Sequence, residues 1–459
     1  MDVLLINPPW TKRKGNIWEK VAGCMPPLGL AYMASFLEEK NVKVKILDLQ
    51  TESLSSLDIY EKIEREKETP SFIGITATTS IIDNALKIAQ ICKTTFPKSK
   101  IVSGGVHPTV LPDEVLGNKN VDYVIRGEGE ETLWELISGK REEDILGLSY
   151  REKERCIHNA ERPFIEQLDN LPFPAYHLLP VKKYHPALGA YKRLPAISMI
   201  TTRGCPGRCT FCFGSFLGTR VRMHSAKYIV EEIKLLQRDY GIKEISFYDD
   251  TFTALKKKVQ EFCLLIVQEN IDITWSCFSR VDFIDETTLH SMKKTGCHQI
   301  CYGIESGNEE ILKNIKKKTS LDKARDTIAM TKHIGIEARA TFMLGNPGET
   351  RETMEETINF AIALDPDISL FNITTPYPGT EMYNWAVEKG YLRTKVWSKY
   401  DLSYPVMELP TVNTDTVEHY YQQAHRRFYR RPGYLFKRLL KIRTTNDLKM
   451  ALKAVLGIF

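Results

Sequence analysis

The sequence predicts an α/β protein in which a doubly wound parallel sheet precedes a partial (β/α)6 barrel of the TIM type. Two observations support this fold class. Over residues 2–150, short apolar runs of strand length alternate with stretches that carry apolar residues every three to four positions, a pattern typical of a parallel sheet covered by helices. From about residue 195 the alternation resumes in six larger units, as expected for an incomplete β/α barrel.

The first domain, residues 1–145, is predicted to be Rossmann-like. Its strand segments are VLLI (3–6), VKVKILD (42–48), SFIGIT (71–76), KIVSGG (100–105) and VDYVIRG (121–127), and its clearest helical segments are 28–40 and 81–96. Residues 146–190 are predicted to hold a small hairpin, at 147–159, and a proline-rich linker. Ligands of doubly wound sheets bind beyond the carboxyl ends of the strands.

The barrel is predicted over residues 191–395. Its strand segments are AISMITT (196–202), EISFYDD (244–250), ITWSCFSR (273–280), QICYGIES (299–306), EARATFMLG (337–345) and ISLFNITT (368–375). Polar residues follow successive strands: three cysteines, then Asp249 and Asp250, then Arg280, then Glu305. Because the carboxyl ends of barrel strands meet at one face, we expect these residues to lie together.

The composition is that of a globular protein, with 42% apolar and 26% charged residues among 459. The net charge of +5 gives no indication of nucleic-acid binding. No apolar run of membrane-spanning length occurs, and the opening MDVLLINPPW lacks a basic segment followed by an apolar core, so we expect a cytoplasmic location. The ten cysteines are too scattered for a disulfide framework, and a tight cluster among them favours metal binding or catalysis.

The segment CPGRCTFCF (205–213) places Cys205, Cys209 and Cys212 at C-x3-C-x2-C spacing. Three such thiolates can ligate three irons of a [4Fe–4S] cluster and leave the fourth iron open. A structural zinc site with a distant fourth ligand is the alternative. The candidates for that ligand are Cys297, His298 and Cys301. The C-x3-C spacing is unusual for zinc, and no second C-x2-C pair follows.

This segment matches the C-x3-C-x-aromatic-C signature of the radical S-adenosylmethionine (SAM) enzymes, and the chain resembles that superfamily over roughly residues 195–380. The resemblance implies that the three cysteines hold a [4Fe–4S] cluster whose open iron binds the amino and carboxylate groups of SAM. An electron from the cluster then cleaves SAM to methionine and a 5′-deoxyadenosyl radical, which abstracts a substrate hydrogen. A one-electron reductant of the flavodoxin or ferredoxin type is implied as well.

The resemblance also implies contacts to the adenine of SAM. Phe211 is the aromatic residue expected beside it. The turn LGNPGET (344–350), which contains Asn346 and Pro347, is expected to offer backbone groups to the same ring. An ordinary turn is the alternative for this segment.

Three charged residues are implied to contact the rest of SAM. Relatives place a Gly-Glu pair at the end of the second strand to receive the methionine amino group; this sequence lacks the pair, so Asp249 or the backbone would serve. Arg280 is expected to bind the methionine carboxylate, because a guanidinium can do so with two hydrogen bonds. Glu305 is expected to contact the ribose or the amino group. Ordinary ion pairs at the barrel mouth are the alternative.

The first domain resembles cobalamin-binding domains, which carry D-x-H-x2-G, then S-x-L, then a Gly-Gly pair. Thr76-Ala77-Thr78 stands in place of S-x-L, and Gly104-Gly105 begins 26 positions after Thr78, a separation found in these domains. Small hydroxyl residues and glycines at strand ends leave room for a nucleotide tail. The implied cobalamin contacts are Thr76, Thr78, Ser103, Gly104, Gly105 and His107.

The first part of that pattern is absent, since LDLQTES (47–53) has Asp48 but Gln50 where the cobalt-ligating histidine would stand. Cobalamin would then bind with its dimethylbenzimidazole displaced and no histidine in its place. His107 is expected to be a hydrogen-bonding neighbour of the cofactor rather than a ligand of cobalt. A cobalamin-like fold that holds no cobalamin is the alternative.

Over residues 1–440 the chain resembles the cobalamin-dependent branch of the radical SAM enzymes. This implies that one SAM methylates cobalamin, that a second gives the radical, and that an unactivated carbon of a small-molecule or lipid-like substrate receives the methyl group. Some members instead close rings or rearrange skeletons, as the anaerobic magnesium-protoporphyrin monomethyl ester cyclase does. From another class, a cobalamin or iron–sulfur sensor is the alternative, and it would not turn over SAM.

Residues 396–459 are predicted to form a basic helical extension. Residues 421–459 contain ten Lys or Arg and one acid, Asp447, beside the apolar segments YLFKRLL and MALKAVLGIF. A helix with basic and apolar faces can lie on an anionic bilayer, so peripheral membrane contact is one expectation. A basic helical cap packed on the barrel mouth is the other.

Overall fold

The computed structural model describes residues 1–10, 22–52, 56–66, 68–187 and 189–439. These residues form two compact units. Unit 1 is built from residues 1–10, 26–184 and 396–398, and unit 2 from residues 22–25, 185–395 and 399–439.

Unit 1 contains a seven-stranded sheet. Its strands are β1 (Val3–Asn7), β2 (Val44–Asp48), β3 (Phe72–Thr76), β4 (Lys100–Gly104), β5 (Tyr123–Ile125), β6 (Leu148–Glu152) and β7 (Arg155–His158), in the order β2-β1-β3-β4-β5-β6-β7. β1 to β5 are parallel, and the expected hairpin, β6–β7, extends the sheet antiparallel. The strand order reverses between β1 and β3, which places the usual ligand crevice of this fold at their carboxyl ends.

Helices pack on the sheet of unit 1. They are α1 (Leu28–Glu39), α2 (Ser56–Glu64), α3 (Ile82–Thr95), α4 (Val106–Val110), α5 (Pro112–Leu116) and α6 (Glu130–Ile137). The apolar run of β1 is buried at every position, as expected for a parallel strand covered on both faces. The doubly wound fold predicted for this part of the chain is confirmed.

Unit 2 contains a six-stranded sheet and a short ribbon. The sheet strands are β8 (Ala196–Met199), β11 (Glu244–Phe247), β12 (Thr274–Ser279), β13 (Cys297–Glu305), β14 (Glu337–Leu344) and β15 (Ile368–Ile373); the ribbon strands are β9 (Thr202–Arg203) and β10 (Arg222–Met223). Sheet strands that follow one another in the chain are parallel neighbours. This is the predicted partial (β/α)6 barrel, whose chemistry is expected at the carboxyl ends.

Nine described helices accompany the barrel. They are α7 (Ala226–Tyr240), α8 (Lys256–Gln268), α9 (Glu286–Lys294), α10 (Glu309–Asn314), α11 (Leu321–His333), α12 (Arg351–Leu364), α13 (Glu381–Glu388), α14 (Thr414–Tyr429) and α15 (Pro432–Leu439). Phe247, Phe252, Phe262 and Trp275 are fully buried in mutual ring contact between strands and helices. This aromatic core holds β11 and β12, which carry site residues at their ends.

The carboxyl-terminal extension is helical through residue 439. Phe428 of α14 packs on Phe371 of β15, with ring centroids 6.2 Å apart, so this helix covers the last barrel strand. The segment MALKAVLGIF lies outside the described residues. None of the described helices has the length and apolar composition required to cross a membrane.

Candidate active site

The three cysteines lie on the loop between β9 and β10, whose antiparallel pairing holds both ends of the loop together. Gly204 opens the loop with φ +92°, and a Cβ there would lie 2.6 Å from the carbonyl oxygen of Arg220. The backbone N–H of Cys205 donates to the carbonyl of Gly218 at 3.1 Å. A glycine at position 204 therefore allows the loop to close on itself.

Asp249 anchors the backbone that leads into this loop. Its buried carboxylate accepts four hydrogen bonds of 2.5 to 2.8 Å, from the backbone N–H groups and hydroxyls of Thr201 and Thr202. Burial raises the pKa of Asp249 to about 6, although these hydrogen bonds lower it in part. The expectation that Asp249 receives the SAM amino group is corrected, because its oxygens are engaged in the chain. Its neighbour Asp250 lines the cavity instead.

A cavity of about 280 Å³ lies at the carboxyl ends of the barrel strands. Its lining includes the expected residues Cys205, Cys209, Cys212, Phe211, Arg280 and Glu305. It also includes Cys301, named above as a candidate zinc ligand, and residues to which the sequence assigned no role, namely Thr251, Phe278, Ser279, Lys317 and Thr341. The side chain of Phe211 packs on an apolar cluster formed by Leu312, Ile315, Met343 and Met382. The predicted convergence of polar strand ends is thus present.

Glycines leave space beside the three sulfurs. A Cβ at Gly207 would lie 3.4 Å from Sγ of Cys205 and 3.9 Å from Sγ of Cys209, and a Cβ at Gly214 would lie 3.2 Å from Sγ of Cys212. Within the described ranges, no three His, Cys, Asp or Glu side chains converge on the position of one metal ion. In a [4Fe–4S] cluster each cysteine instead binds its own iron. Three sulfurs around one cavity, with glycines between them, fit such a cluster.

The pKa values of the Cys209 and Cys212 thiols are raised above that of a free cysteine. Burial raises the pKa of Cys212 to about 12. Burial also raises the pKa of Cys209, although the positive charges of Lys317 and Arg280 lower it in part. Because iron binds the thiolate, cluster assembly is coupled to loss of these protons.

Arg280 follows β12 and lies beside Cys209. Its Nε and Nη2 donate to the two carboxylate oxygens of Asp282 at 3.0 and 2.9 Å, and Nη2 also donates to the carbonyl of Lys317 at 2.7 Å. Its Nη1 lies 3.7 Å from Sγ of Cys209. Burial lowers the pKa of Arg280, but Asp282 outweighs this and the pKa is raised overall, so the group stays charged. Asp282 thus occupies the Nε and Nη2 side of the guanidinium, and binding of the methionine carboxylate by Arg280 stays a prediction.

Glu305 and Lys317 form a buried ion pair in the cavity wall, with Oε1 and Nζ 2.7 Å apart. A Cβ at Gly303 would collide with both charged groups, so glycine leaves the room that the pair occupies. The backbone of Glu305 has φ +75°, an uncommon conformation for a residue with a Cβ. Sequence reasoning missed Lys317, because a run of three lysines at 316–318 is typical of a solvated surface.

Hydrogen bonds made by side chains of the turn itself fix the conformation of residues 344–350. Glu349 is fully buried and accepts hydrogen bonds from the backbone N–H groups of Gly345 and Asn346. The side chain of Asn346 donates to the carbonyl of Met343 and accepts from the hydroxyl of Thr374. Burial raises the pKa of Glu349 to about 7, although the hydrogen bonds from Asn346 and Gly345 lower it in part. The side chain of Asn346 is thus engaged inside the turn, which leaves backbone groups for any ligand contact.

The implied cobalamin contacts gather at the ends of β3 and β4. The backbone N–H of Ala77 donates to the carbonyl of Gly104 at 2.9 Å, and that of His107 donates to the carbonyl of Ala77 at 3.2 Å. Gly105 has φ +100°, and a Cβ there would lie 2.8 Å from the carbonyl oxygen of Ala77. Thr78 is exposed nearby, whereas Ser103 is buried. Two glycines and small hydroxyl residues at adjacent strand ends form a cradle that fits a nucleotide tail.

His107 belongs to the interior of unit 1. Its side chain is fully buried, with Nδ1 3.4 Å from the hydroxyl of Thr79 and Nε2 3.4 Å from Oε1 of Glu114. Trp397 packs its ring against the imidazole, with centroids 5.3 Å apart, and donates a hydrogen bond to Glu114 at 2.6 Å. The structure therefore gives His107 a packing role in place of the expected cofactor contact.

Gln50, at the position of the absent histidine, lies in a polar network beyond β1 and β2. Asp48 accepts from the side chain of Asn7 at 2.8 Å, from the backbone N–H of Gln50 at 3.0 Å and from the hydroxyl of Tyr184 at 2.6 Å. The side-chain amide of Gln50 lies 3.4 Å from Oδ1 of Asn7. The Asp48 carboxylate therefore joins Asn7, Gln50 and Tyr184 in one hydrogen-bonded group beyond β1 and β2.

Family models match both units: residues 199–361 match the radical SAM superfamily, and residues 17–137 match the B12 binding domain. The chain is 40% identical over 443 residues to an uncharacterized methyltransferase of Pyrococcus horikoshii, which covers 95% of this chain and 94% of the relative. It is 28% identical over 448 residues to the anaerobic magnesium-protoporphyrin IX monomethyl ester cyclase of Rubrivivax gelatinosus, with 95% and 78% covered.

A solved structure shares the fold. The cobalamin-dependent SAM radical enzyme OxsB, with aqua-cobalamin and SAM bound, matches with a TM-score of 0.76 at 16% identity, over 100% of this chain and 72% of that chain. Both family models, the extended identity and the cysteine cavity agree. The chain therefore belongs to the cobalamin-binding radical SAM enzymes, with a [4Fe–4S] cluster, SAM and cobalamin as its cofactors.

Proposed function

We propose that this enzyme methylates an unactivated carbon of a small-molecule or lipid-like substrate, with SAM as the methyl source. The observation that carries the proposal is the cavity that gathers three cysteines and a buried ion pair at the carboxyl ends of the barrel strands. The relative that is 40% identical over nearly its whole length is a methyltransferase by name, which favours methyl transfer over other outcomes of the radical chemistry.

The residues of unit 2 bind and orient the reactants. When bound, the cluster supplies the electron that cleaves SAM, and cobalamin carries the methyl group. Cys205, Cys209 and Cys212 hold the cluster. Glu305 and Lys317 present opposite charges side by side, which complements the ammonium and carboxylate of the methionine part of SAM.

The adenine and cobalamin contacts complete the proposal. Phe211 lies against the adenine, and the turn at Asn346 and Pro347 contacts it through backbone groups. In unit 1, residues at the ends of β3 and β4 hold cobalamin. These residues are Thr76, Thr78, Ser103, Gly104 and Gly105.

Metal content and label transfer test this function. After anaerobic purification with hydroxocobalamin and reconstitution with iron and sulfide, we expect about four irons and one cobalt per chain. Cys205→Ala should remove iron and leave cobalt. With methyl-labelled SAM and a one-electron reductant, label should enter the cobalamin fraction as S-adenosylhomocysteine is released. Iron without cobalt, or cobalt that never gains label, would contradict methyl transfer through cobalamin.

Ring closure or rearrangement is the second candidate, and the similarity to the Rubrivivax gelatinosus cyclase over 95% of this chain favours it. The two reactions differ in their products. Methyl transfer releases both S-adenosylhomocysteine and 5′-deoxyadenosine, whereas cyclisation releases 5′-deoxyadenosine alone. A sensor would release neither.

We also propose that α15 contacts an anionic membrane surface. Leu435 and Phe436 expose 36% and 63% of their area beside Lys437, while Tyr434 donates to the carbonyl of Asp367 and holds the helix on unit 2. Co-sedimentation with anionic liposomes should fall for Phe436→Glu. Equal sedimentation of Phe436→Glu and the full unmodified chain would contradict the proposal.

A further inference from the structure

We propose that Arg280 raises the reduction potential of the cluster by donating a hydrogen bond from Nη1 to the sulfur of Cys209. Arg280 is then a positioning residue for electron transfer rather than a ligand of SAM. The inference depends on the cluster and its three cysteines, and it is independent of whether the enzyme methylates or cyclises its substrate.

The guanidinium is held in place by its other contacts. Both oxygens of Asp282 accept from it at 3.0 and 2.9 Å, and the carbonyl of Lys317 accepts from Nη2 at 2.7 Å. Only 9% of the Arg280 side chain is exposed. These contacts use Nε and Nη2, so Nη1 is the group directed at Sγ of Cys209, 3.7 Å away.

A positively charged hydrogen-bond donor at a cluster sulfur shifts the equilibrium between the oxidised and the reduced cluster. One electron passes from the flavodoxin- or ferredoxin-type reductant to the cluster, which then carries one more negative charge. A positive N–H donor stabilises the more negative form, and hydrogen bonds to the sulfurs are among the factors that set cluster potentials. Burial strengthens the effect, because electrostatic interactions grow as the effective dielectric constant falls.

Backbone geometry supports a fixed distance between donor and sulfur. Gly207 lies beside both groups: a Cβ there would be 3.6 Å from Nη1 of Arg280 and 3.9 Å from Sγ of Cys209. With glycine at this position, residue 207 places no side chain beside the guanidinium and the sulfur. The glycine therefore allows direct contact between Arg280 and the cluster ligand Cys209.

An anaerobic redox titration of the reconstituted protein without SAM, followed by the electron paramagnetic resonance of the reduced cluster, tests the proposal. For Arg280→Met we expect the ratio of reduced to oxidised cluster, at the midpoint potential of the unmodified protein, to fall about tenfold, or about 59 mV for a one-electron couple. Arg193→Met is the matched control. It removes an arginine with a two-oxygen pair to Asp272 that precedes β8, at the opposite ends of the strands, and it should leave the potential unchanged.

An Arg280→Met protein whose potential equals that of the unmodified protein would overturn the proposal. If that protein also bound SAM more weakly, the result would return Arg280 to the methionine carboxylate. If Arg280→Met does not retain iron, Arg280→Lys decides: an ammonium cannot hold Asp282 and reach the sulfur together, so its potential should also fall, and an unchanged value would overturn the proposal.

Discussion

Glu305 and Lys317 lie 2.7 Å apart in the cavity wall and expose only 10% and 6% of their side chains. Lys316, one residue earlier, pairs with Glu381 at 2.6 Å, but half or more of each side chain is in solvent. The two lysines therefore give a matched comparison between a buried and an exposed ion pair.

Lys317→Met should destabilise unit 2 by about 3–5 kcal/mol, because it leaves the buried Glu305 carboxylate without its partner. It should also weaken SAM binding. Lys316→Met should cost less than about 1 kcal/mol, since exposed pairs contribute little. Urea unfolding of both variants measures the difference. Equal losses of unfolding free energy in the two variants would show that the position of Lys317 in the cavity does not affect its contribution to stability.

Gly204→Ala should prevent cluster assembly, because the added Cβ would meet the carbonyl oxygens of Arg220 and Gly218 at 2.6 and 2.7 Å. Iron per chain after reconstitution measures this. Gly241→Ala is the control, since Gly241 also has a positive φ, +65°, but among the described residues beyond its chain neighbours no atom lies within 4 Å of its Cβ position. If the two variants contained similar amounts of iron, any loss of iron would be due to backbone strain and not to the collision.

Substitutions of the two adjacent glycines Gly104 and Gly105 distinguish an effect on folding from an effect on cobalamin binding in unit 1. Gly105→Ala should disrupt the turn after β4, because its Cβ would lie 2.8 Å from the carbonyl oxygen of Ala77 at φ +100°. Gly104→Ala should keep the fold, because its nearest atom would be 3.8 Å away. We expect Gly104→Ala to retain its melting temperature and to lose cobalt. Full cobalt content in this variant would remove Gly104 from the cofactor site.

Glu349 should make stability depend on pH. Burial raises its pKa from 4.5 to about 7, so between these values the folded protein holds a proton that the unfolded chain has released, and stability falls as pH rises. The loss of unfolding free energy over this pH range is on the order of 3 kcal/mol. The melting temperature of the unmodified protein minus that of Glu349→Gln should therefore decrease from pH 5 to pH 8.

Glu352→Gln is the control for that series. Glu352 is exposed near the start of α12, and its pKa is lowered, mainly by the hydrogen bond from Thr350. The melting temperature of the unmodified protein minus that of Glu352→Gln should stay constant between pH 5 and pH 8. A flat difference for Glu349→Gln as well would show that Glu349 does not keep its proton in the folded protein.

The strand ends of the barrel show where sequence reasoning succeeds and where it stops. The alternation of apolar runs and helical patterns located all six strands, and Arg280, Glu305 and the cysteines do line one cavity. The choice between Asp249 and Asp250 could not be made from the pattern. β11 is buried at all four positions, so it lacks the period-two alternation that would distinguish the two faces of the strand.

The partners of these side chains were not fixed by the pattern either. The sequence places Asp282 two residues after Arg280, but it does not show that Asp282 accepts two hydrogen bonds from the guanidinium. In the same way, GGVHPT shows a histidine beside two glycines, but Trp397 reaches it from a segment 290 residues away in the chain.

The sequence by itself determined the two α/β folds, the cluster motif and the glycines at the ends of β3 and β4, because period, spacing and backbone freedom are local properties of a chain. The tertiary structure decided which charged groups face the cavity and which serve the fold. Lys316 and Lys318, both at positive φ, reverse the backbone so that Lys317 alone of the three turns inward to Glu305. No local pattern contains that choice, because burial of a charge depends on a partner, and here that partner is Glu305 at the end of β13.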